Sequence, residues 1–148
     1  MFDAAALPSH QRVKGRALAS LEGGRLRDLR QEGSAKVMLP RVFGRAPEVV
    51  FLNTAGGITG GDRLDYVLEV EGGACVGTTQ TAERAYRAGD APGVVTTRLK
   101  VGPRARLHWL PQELILFEGA HLRRRLEVEM AGDAELLLLE PLTLGRAA

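Results

Sequence analysis

Cysteine is almost absent from this chain: Cys75 stands alone among 148 residues. A single thiol can neither close an internal disulfide nor build a zinc site of the multi-thiolate kind, and it points to a reducing compartment. Aromatic residues make up 5% of the sequence and form no clustered run, which leaves little for stacking bases or sugar rings. An excess of one charge is missing as well. Twenty Lys plus Arg against eighteen Asp plus Glu leave +2, so net charge implies neither nucleic acid nor an anionic membrane as partner. No apolar run reaches the roughly 7–15 residues of a signal-peptide core or the ~20 of a membrane-spanning helix. Asp3 also sits where a secretory signal carries positive charge. These absences predict a cytoplasmic protein with no membrane partner.

Glycine is what the chain has in quantity, at 18 residues, with 7 prolines and 45% hydrophobic residues, a globular composition. One domain is the expectation for this length, and folding at this size buries roughly 68–70% of the unfolded surface. Residues 1–11 show no period and read as a lead-in arm. Beyond them period two dominates. Ala35, Val37 and Leu39 alternate with polar neighbours, as do Leu64, Tyr66, Leu68 and Val70, then Val95, Thr97, Leu99 and Val101, and then Leu122, Arg124, Leu126, Val128 and Met130. Such alternation predicts half-buried strands. Turn signals separate them at Gly72-Gly73, Gly102-Pro103, Glu118-Gly119 and Gly132-Asp133.

The pattern also repeats loosely. Leu68-Glu69-Val70, Leu99-Lys100-Val101 and Leu126-Glu127-Val128 each run into a Gly turn and an Ala-x-apolar restart, at Ala74-Cys75-Val76, Ala105-Arg106-Leu107 and Ala134-Glu135-Leu136. Starts 31 and 27 residues apart predict an all-β fold of stacked units, a β-helix-like solenoid, with an antiparallel meander as the alternative. At most one short helix is expected, over Thr81 to Ala88.

The densest string is Asn53-Thr54-Ala55-Gly56-Gly57-Ile58-Thr59-Gly60-Gly61-Asp62. It lacks the Gly-Lys-Ser/Thr of a phosphate-binding loop and the G-x-G-x-x-G dinucleotide turn, so a tight structural connection is its natural reading. There is no G-x-S-x-G elbow, and His10, His108 and His121 lack the spacing of a metal centre. Cys75 falls in a strand restart, where a small buried hydrophobe fits. In Arg123-Arg124-Arg125, alternation sends Arg123 and Arg125 outward with Glu127 and Glu129. Arg124 then points among apolar neighbours and needs a carboxylate. Trp109 and Phe117 are expected to anchor the core.

Read together, the strings resemble the UreD (UreH) family of urease accessory proteins. The resemblance rests on Gly33-Ser34-Ala35-Lys36-Val37 with Leu39-Pro40, and on the Asn53 to Asp62 string. It continues through Thr78-Thr79-Gln80-Thr81-Ala82-Glu83 with Tyr86-Arg87, then Trp109-Leu110-Pro111-Gln112-Glu113 with Leu116-Phe117-Glu118-Gly119-Ala120. Arg123 to Leu126 and Leu144-Gly145-Arg146-Ala147-Ala148 complete it, all in family order. The resemblance implies a β-helix-like fold with a couple of helices and a non-enzymatic role in assembling the nickel centre of urease. It implies apo-urease and UreF as partners, with UreG recruited through UreF, and no permanently bound cofactor, only Ni²⁺ in transit. Members are nearly twice this length, so residues 1–148 are expected to be the N-terminal part of a single UreD-like β domain, truncated at its C-terminal end.

A transit route must admit an ion and then release it. Thiolates and clustered imidazoles hold Ni²⁺ tightly, whereas isolated carboxylates and hydroxyls suit passage. By their positions in the matched strings the candidate nickel-passage residues are Asp62, Thr79, Thr81 and Glu83, with Glu113 and Glu140 as weaker ones. The competing reading is a carbohydrate-processing enzyme on a β-helix. It requires a carboxylate pair on one surface and an aromatic platform for the sugar.

Overall fold

A computed structural model describes residues 12–145, and every regular element in it is a strand. The first complete turn of the chain consists of β5 (Arg63–Glu71), β6 (Gly73–Gln80) and β7 (Glu83–Ala85). The next consists of β8 (Gly93–Val101), β9 (Ala105–Trp109) and β10 (Leu114–Leu116), and the last of β11 (Leu122–Met130), β12 (Glu135–Leu138) and β13 (Leu142–Leu144). Each turn lays its strands parallel on those of the turn before, giving a three-sided stack: β5-β8-β11, β6-β9-β12 and β7-β10-β13. The solenoid expectation holds, and the meander does not.

The N-terminal end is built differently. There β1 (Lys14–Glu22) lies parallel on β5, and β4 (Glu48–Asn53) lies parallel on β6. Ile58 bridges Ala85 to complete the third side. The strands β2 (Arg25–Gly33) and β3 (Ala35–Met38) run back antiparallel on the outer edges of β1 and β4. The edge strand β2 is mostly exposed and carries Arg25, Arg27, Asp28, Arg30 and Glu32. Such charges discourage pairing with another chain.

Register explains which alternations became strands. Leu68 pairs with Leu99 and Val70 with Val101, 31 residues on. Leu99 pairs with Val128 and Val101 with Met130, 29 residues on, so the third copy sits two residues later than the Leu-x-Val pattern suggests. A slip of two keeps every side chain on its face, which is why the pattern still looked repetitive. The second side corrects by one: Cys75, not Val76, aligns with Leu107 and Leu136. The inward column is then Cys75, Leu107 and Leu136, and burial follows it, with Cys75 2% and Leu107 0% exposed.

The helix expected over Thr81 to Ala88 is absent; this segment is β7 and its flanks. Its backbone groups bond to neighbouring turns of the stack instead of four residues back. Glu83 N–H donates to Glu113 O at 2.9 Å, and Tyr86 N–H donates to Ile58 O at 2.8 Å. No helix occurs among the described residues, so the helices implied by the family resemblance are not in this part of the chain. The lead-in arm at residues 1–11 and the end of the last string, Arg146 to Ala148, lie outside the described residues.

The core gathers where the first two sides face each other. Phe51 on β4 packs against Tyr66 on β5 and Trp109 on β9, with ring centroids 5.3 and 6.0 Å away. Trp109 is 1% exposed, as its anchoring role requires. Gly77 makes room for it: a Cβ there would stand 2.7 Å from both Leu68 Cδ2 and Trp109 Cε3. Phe117 is half-buried outside this core and stacks on Tyr86 instead, centroids 5.4 Å apart.

The last turn, by contrast, has no layer on it among the described residues. Val128, Met130, Leu137, Leu139, Leu142 and Leu144 are all exposed, Leu144 by 78%. Two outcomes are expected. Gly77→Ala forces Trp109 or Leu68 aside and should cost about 1–3 kcal/mol, read as a lower denaturant midpoint. The isolated 148-residue chain should associate through the β11-β12-β13 edge, eluting from a sizing column above monomer mass, and Leu139→Lys with Leu144→Lys should shift it toward monomer.

Candidate functional site

One stretch of the solenoid interior is polar. The inward residues of β5, β8 and β11 read Leu64, Val95 and Arg124 in one register row and Tyr66, Thr97 and Leu126 in the next. Around these rows lies a cavity of about 40 Å³, lined by Tyr66, Thr79, Thr97, Glu83 and Arg124 with Trp109, Ile58, Val95, Leu114 and Leu122. Gln80, Thr81 and Gln112 also line it and are exposed, which places its mouth at the corner between the second and third sides. That volume holds a few waters.

Each polar group is positioned by the stack. Thr79 Oγ1 accepts the backbone N–H of Gln112 at 2.9 Å, tying the first turn to the second. Glu83 opens β7, and its own N–H is fixed by Glu113 O. Burial pushes the Glu83 carboxyl above the usual carboxylate range, against the opposing pull of the Arg84 backbone N–H, the Asn53 side chain and the Arg124 charge. The Tyr66 hydroxyl is raised for the same reason, burial first and the Glu83 charge second. Arg124 has the carboxylate that its place among apolar neighbours demands: Nη2 lies 2.7 Å from Glu140 Oε1, with the two side chains 26% and 25% exposed. Trp109 Nε1 donates to the same Glu140 oxygen at 3.4 Å.

The structure brings Thr79, Thr81 and Glu83 together on this cavity. Neither Glu113 nor Glu140 lines it, although Glu140 is tied to it by its ion pair with the lining residue Arg124. Asp62 lies elsewhere, beside a surface groove with Arg12 and Tyr86. The residue is 4% exposed, and each carboxylate oxygen accepts a backbone N–H at 2.9 Å, Oδ1 from Val13 and Oδ2 from Thr59. The glycine string is a tight connection, as its composition suggests. Asn53 braces it, donating from Nδ2 to Gly57 O at 3.1 Å and accepting Ala55 N–H at Oδ1 at 3.0 Å. Gly57 is required because a Cβ would run into the Tyr86 ring.

Five polar lining residues were not among the candidate passage residues: Tyr66, Gln80, Thr97, Gln112 and Arg124. A signal was there for three of them, since Tyr66, Thr97 and Arg124 are the polar interruptions in otherwise apolar inward rows. Cys75 is inert core, its thiol pushed up to about 12 by burial. Outward, Arg125 pairs with Glu127 at 2.8 Å, and Glu127 is shared with Arg98 at 3.0 Å, a mutually neutralising face. No group of three or more His, Cys, Asp or Glu able to hold a metal occurs among the described residues. No helix there is long and apolar enough to cross a membrane.

The family profile described as UreD urease accessory protein matches residues 12–148. The chain belongs to the UreD family. It is similar to the urease accessory protein UreD of Jannaschia sp. (strain CCS1), 71% identical over the whole of this chain and 55% of that protein. Its likeness to UreD of Paracoccus denitrificans (strain Pd 1222) is 53%, over the whole chain and 53% of the relative. With UreD of Rhizobium leguminosarum bv. viciae the figures are 46%, the whole chain and 56%. The chain thus spans about half the length of the curated UreD relatives it matches.

The raised Glu83 carboxyl gives this cavity a pH signature. Its folded-state pKa lies above the unfolded value, so the stability linked to it is fully present below the unfolded pKa and is lost as pH rises through the folded one. Glu83→Gln, fixed in the neutral form, should melt like the parent near pH 4 and a few degrees higher at pH 8 by calorimetry.

Proposed function

We propose that this chain is a non-catalytic part of the machinery that matures urease in the cytoplasm. In this reading it binds apo-urease and UreF, with UreG joining through UreF, and its interior cavity forms part of a route for Ni²⁺. The observation that carries the nickel reading is the cavity itself. In a solenoid whose core is mostly apolar, Glu83, Tyr66, Thr79 and Thr97 face a space large enough for a few waters. One carboxylate, hydroxyls and water make a weak oxygen-donor path, and a weak path suits an ion that has to leave again. Thr81 stands at the mouth. Asp62, whose two oxygens are held by backbone N–H groups, serves the path as a brace on the β1 entry and not as a ligand.

Carbohydrate processing fits this geometry poorly. The buried carboxylate opens onto about 40 Å³, too little for a sugar ring.

The test is complementation. In cells lacking their own UreD, the Jannaschia relative carrying the counterpart of Glu83→Gln should yield urease with several-fold less nickel at limiting metal, while still co-purifying with UreF. Unchanged nickel content would remove the passage, and loss of UreF from the purified unsubstituted complex would remove the partner assignment.

A further inference from the structure

Arg124 is a cation fixed inside a cavity proposed to carry cations. The in-register residues of the two preceding turns are Leu64 and Val95, so the stack itself does not ask for charge there. An aliphatic residue would continue the row. The guanidinium is instead drawn onto Glu140, 2.7 Å away, and Trp109 Nε1 holds the same oxygen of that carboxylate at 3.4 Å. Glu140 lies two residues before the β13 position paired to Leu114, and Gln112 and Thr81 lie two before theirs on β10 and β7. Thr81, Gln112 and Glu140 therefore follow one another down the same corner of the solenoid, from the mouth toward the uncovered turn. Arg124 lies across from the last of them and faces Glu83 over the cavity, close enough for its charge to act on that carboxyl.

Resting on the passage reading above, we propose that Arg124 is a tethered counter-cation: its guanidinium occupies Glu140 while the cavity is empty, and a divalent cation advancing from Glu83 must take Glu140 from it. Such a device keeps affinity low without removing the carboxylates. With all three groups ionised, Glu83, Glu140 and Arg124 carry a net charge of −1, and without Arg124 they carry −2. The ion is attracted, yet each place that it could settle is contested by a positive charge that cannot diffuse away. Release then restores the Arg124–Glu140 pair, which favours emptying.

The sign of the effect separates this role from a structural one. Ni²⁺ alone is titrated by calorimetry into the 148-residue chain and its variants, each first checked for a cooperative melt and for the same mass as the parent on a sizing column. Removing the positive charge with Arg124→Met should tighten Ni²⁺ binding by about tenfold or more, because a like charge facing the site is lost. Arg124→Lys should stay near the parent. Glu140→Gln should bind more weakly than the parent, and Arg124→Met with Glu140→Gln should return toward it. Adding Glu83→Gln to Arg124→Met should erase the gain. A merely structural Arg124 would give unchanged or weaker binding in Arg124→Met, and that result overturns the proposal. Should Arg124→Met not fold, Arg124→Gln removes the same charge and is read the same way, and Glu140→Gln binding as tightly as the parent is a second overturning result. Failure of the passage reading looks different: Glu83→Gln would then leave the parent chain's Ni²⁺ binding unchanged. If Glu83→Gln weakens binding while Arg124→Met brings no gain, the passage stands and only the counter-cation falls.

Discussion

Parallel pairing in register, one turn of chain upon the next, is the constraint on which this molecule depends. No turn of the solenoid has an interior of its own. Leu68 is buried because Leu99 lies beside it and Ala19 lies on its other side, and Leu99 in turn is covered by Val128. Burial, backbone hydrogen bonding and the placement of polar groups all descend from that ladder. Stability in such a stack is a sum of neighbour interactions, and each layer is worth most when both of its faces are covered.

The same constraint accounts for the contrast between the two ends. At the start, β2 and β3 turn back antiparallel and shield the edges of β1 and β4 with charged or short strands. At the other end, β11, β12 and β13 carry inward rows that, Arg124 apart, are as apolar as those before them, with no further layer among the described residues. Leu126 and Leu136 still pack against the core from there, while Val128, Met130 and Leu138 meet it on one side only.

Much of this was legible in one sequence. Period-two alternation marks β5, β8 and β11, the Ala-x-apolar restarts mark β6, β9 and β12 to within a residue, and the Gly turns mark the corners. What failed to show was the third side. Strands of three residues such as β7, β10 and β13 are too short to display a period, and Thr81 to Ala88 could look helical because its true hydrogen-bond partners lie some 30 residues away. The antiparallel β2 was hidden for another reason. Exposed on nearly every residue, it has no buried face to imprint on the sequence. The candidate site divided similarly. Thr79, Thr81 and Glu83 were found as a string, whereas Tyr66, Thr97 and Arg124 are scattered over three strands that only the stack superimposes. Asp62, suggestive at the end of its glycine string, is occupied by two backbone N–H groups that no linear reading could assign to it.

By itself the sequence determined that the chain folds as stacked strands, where it turns, and which family it joins, because alternation, turn chemistry and ordered strings are local properties. It also determined that Arg124 would need an acid. Only the tertiary structure decided which acid, which rows share a turn, and that a few polar side chains from separate turns line one small cavity. Those outcomes depend on register between segments about 30 residues apart, and a loose repeat tolerates a slip of two without showing it, since every side chain stays on its own face.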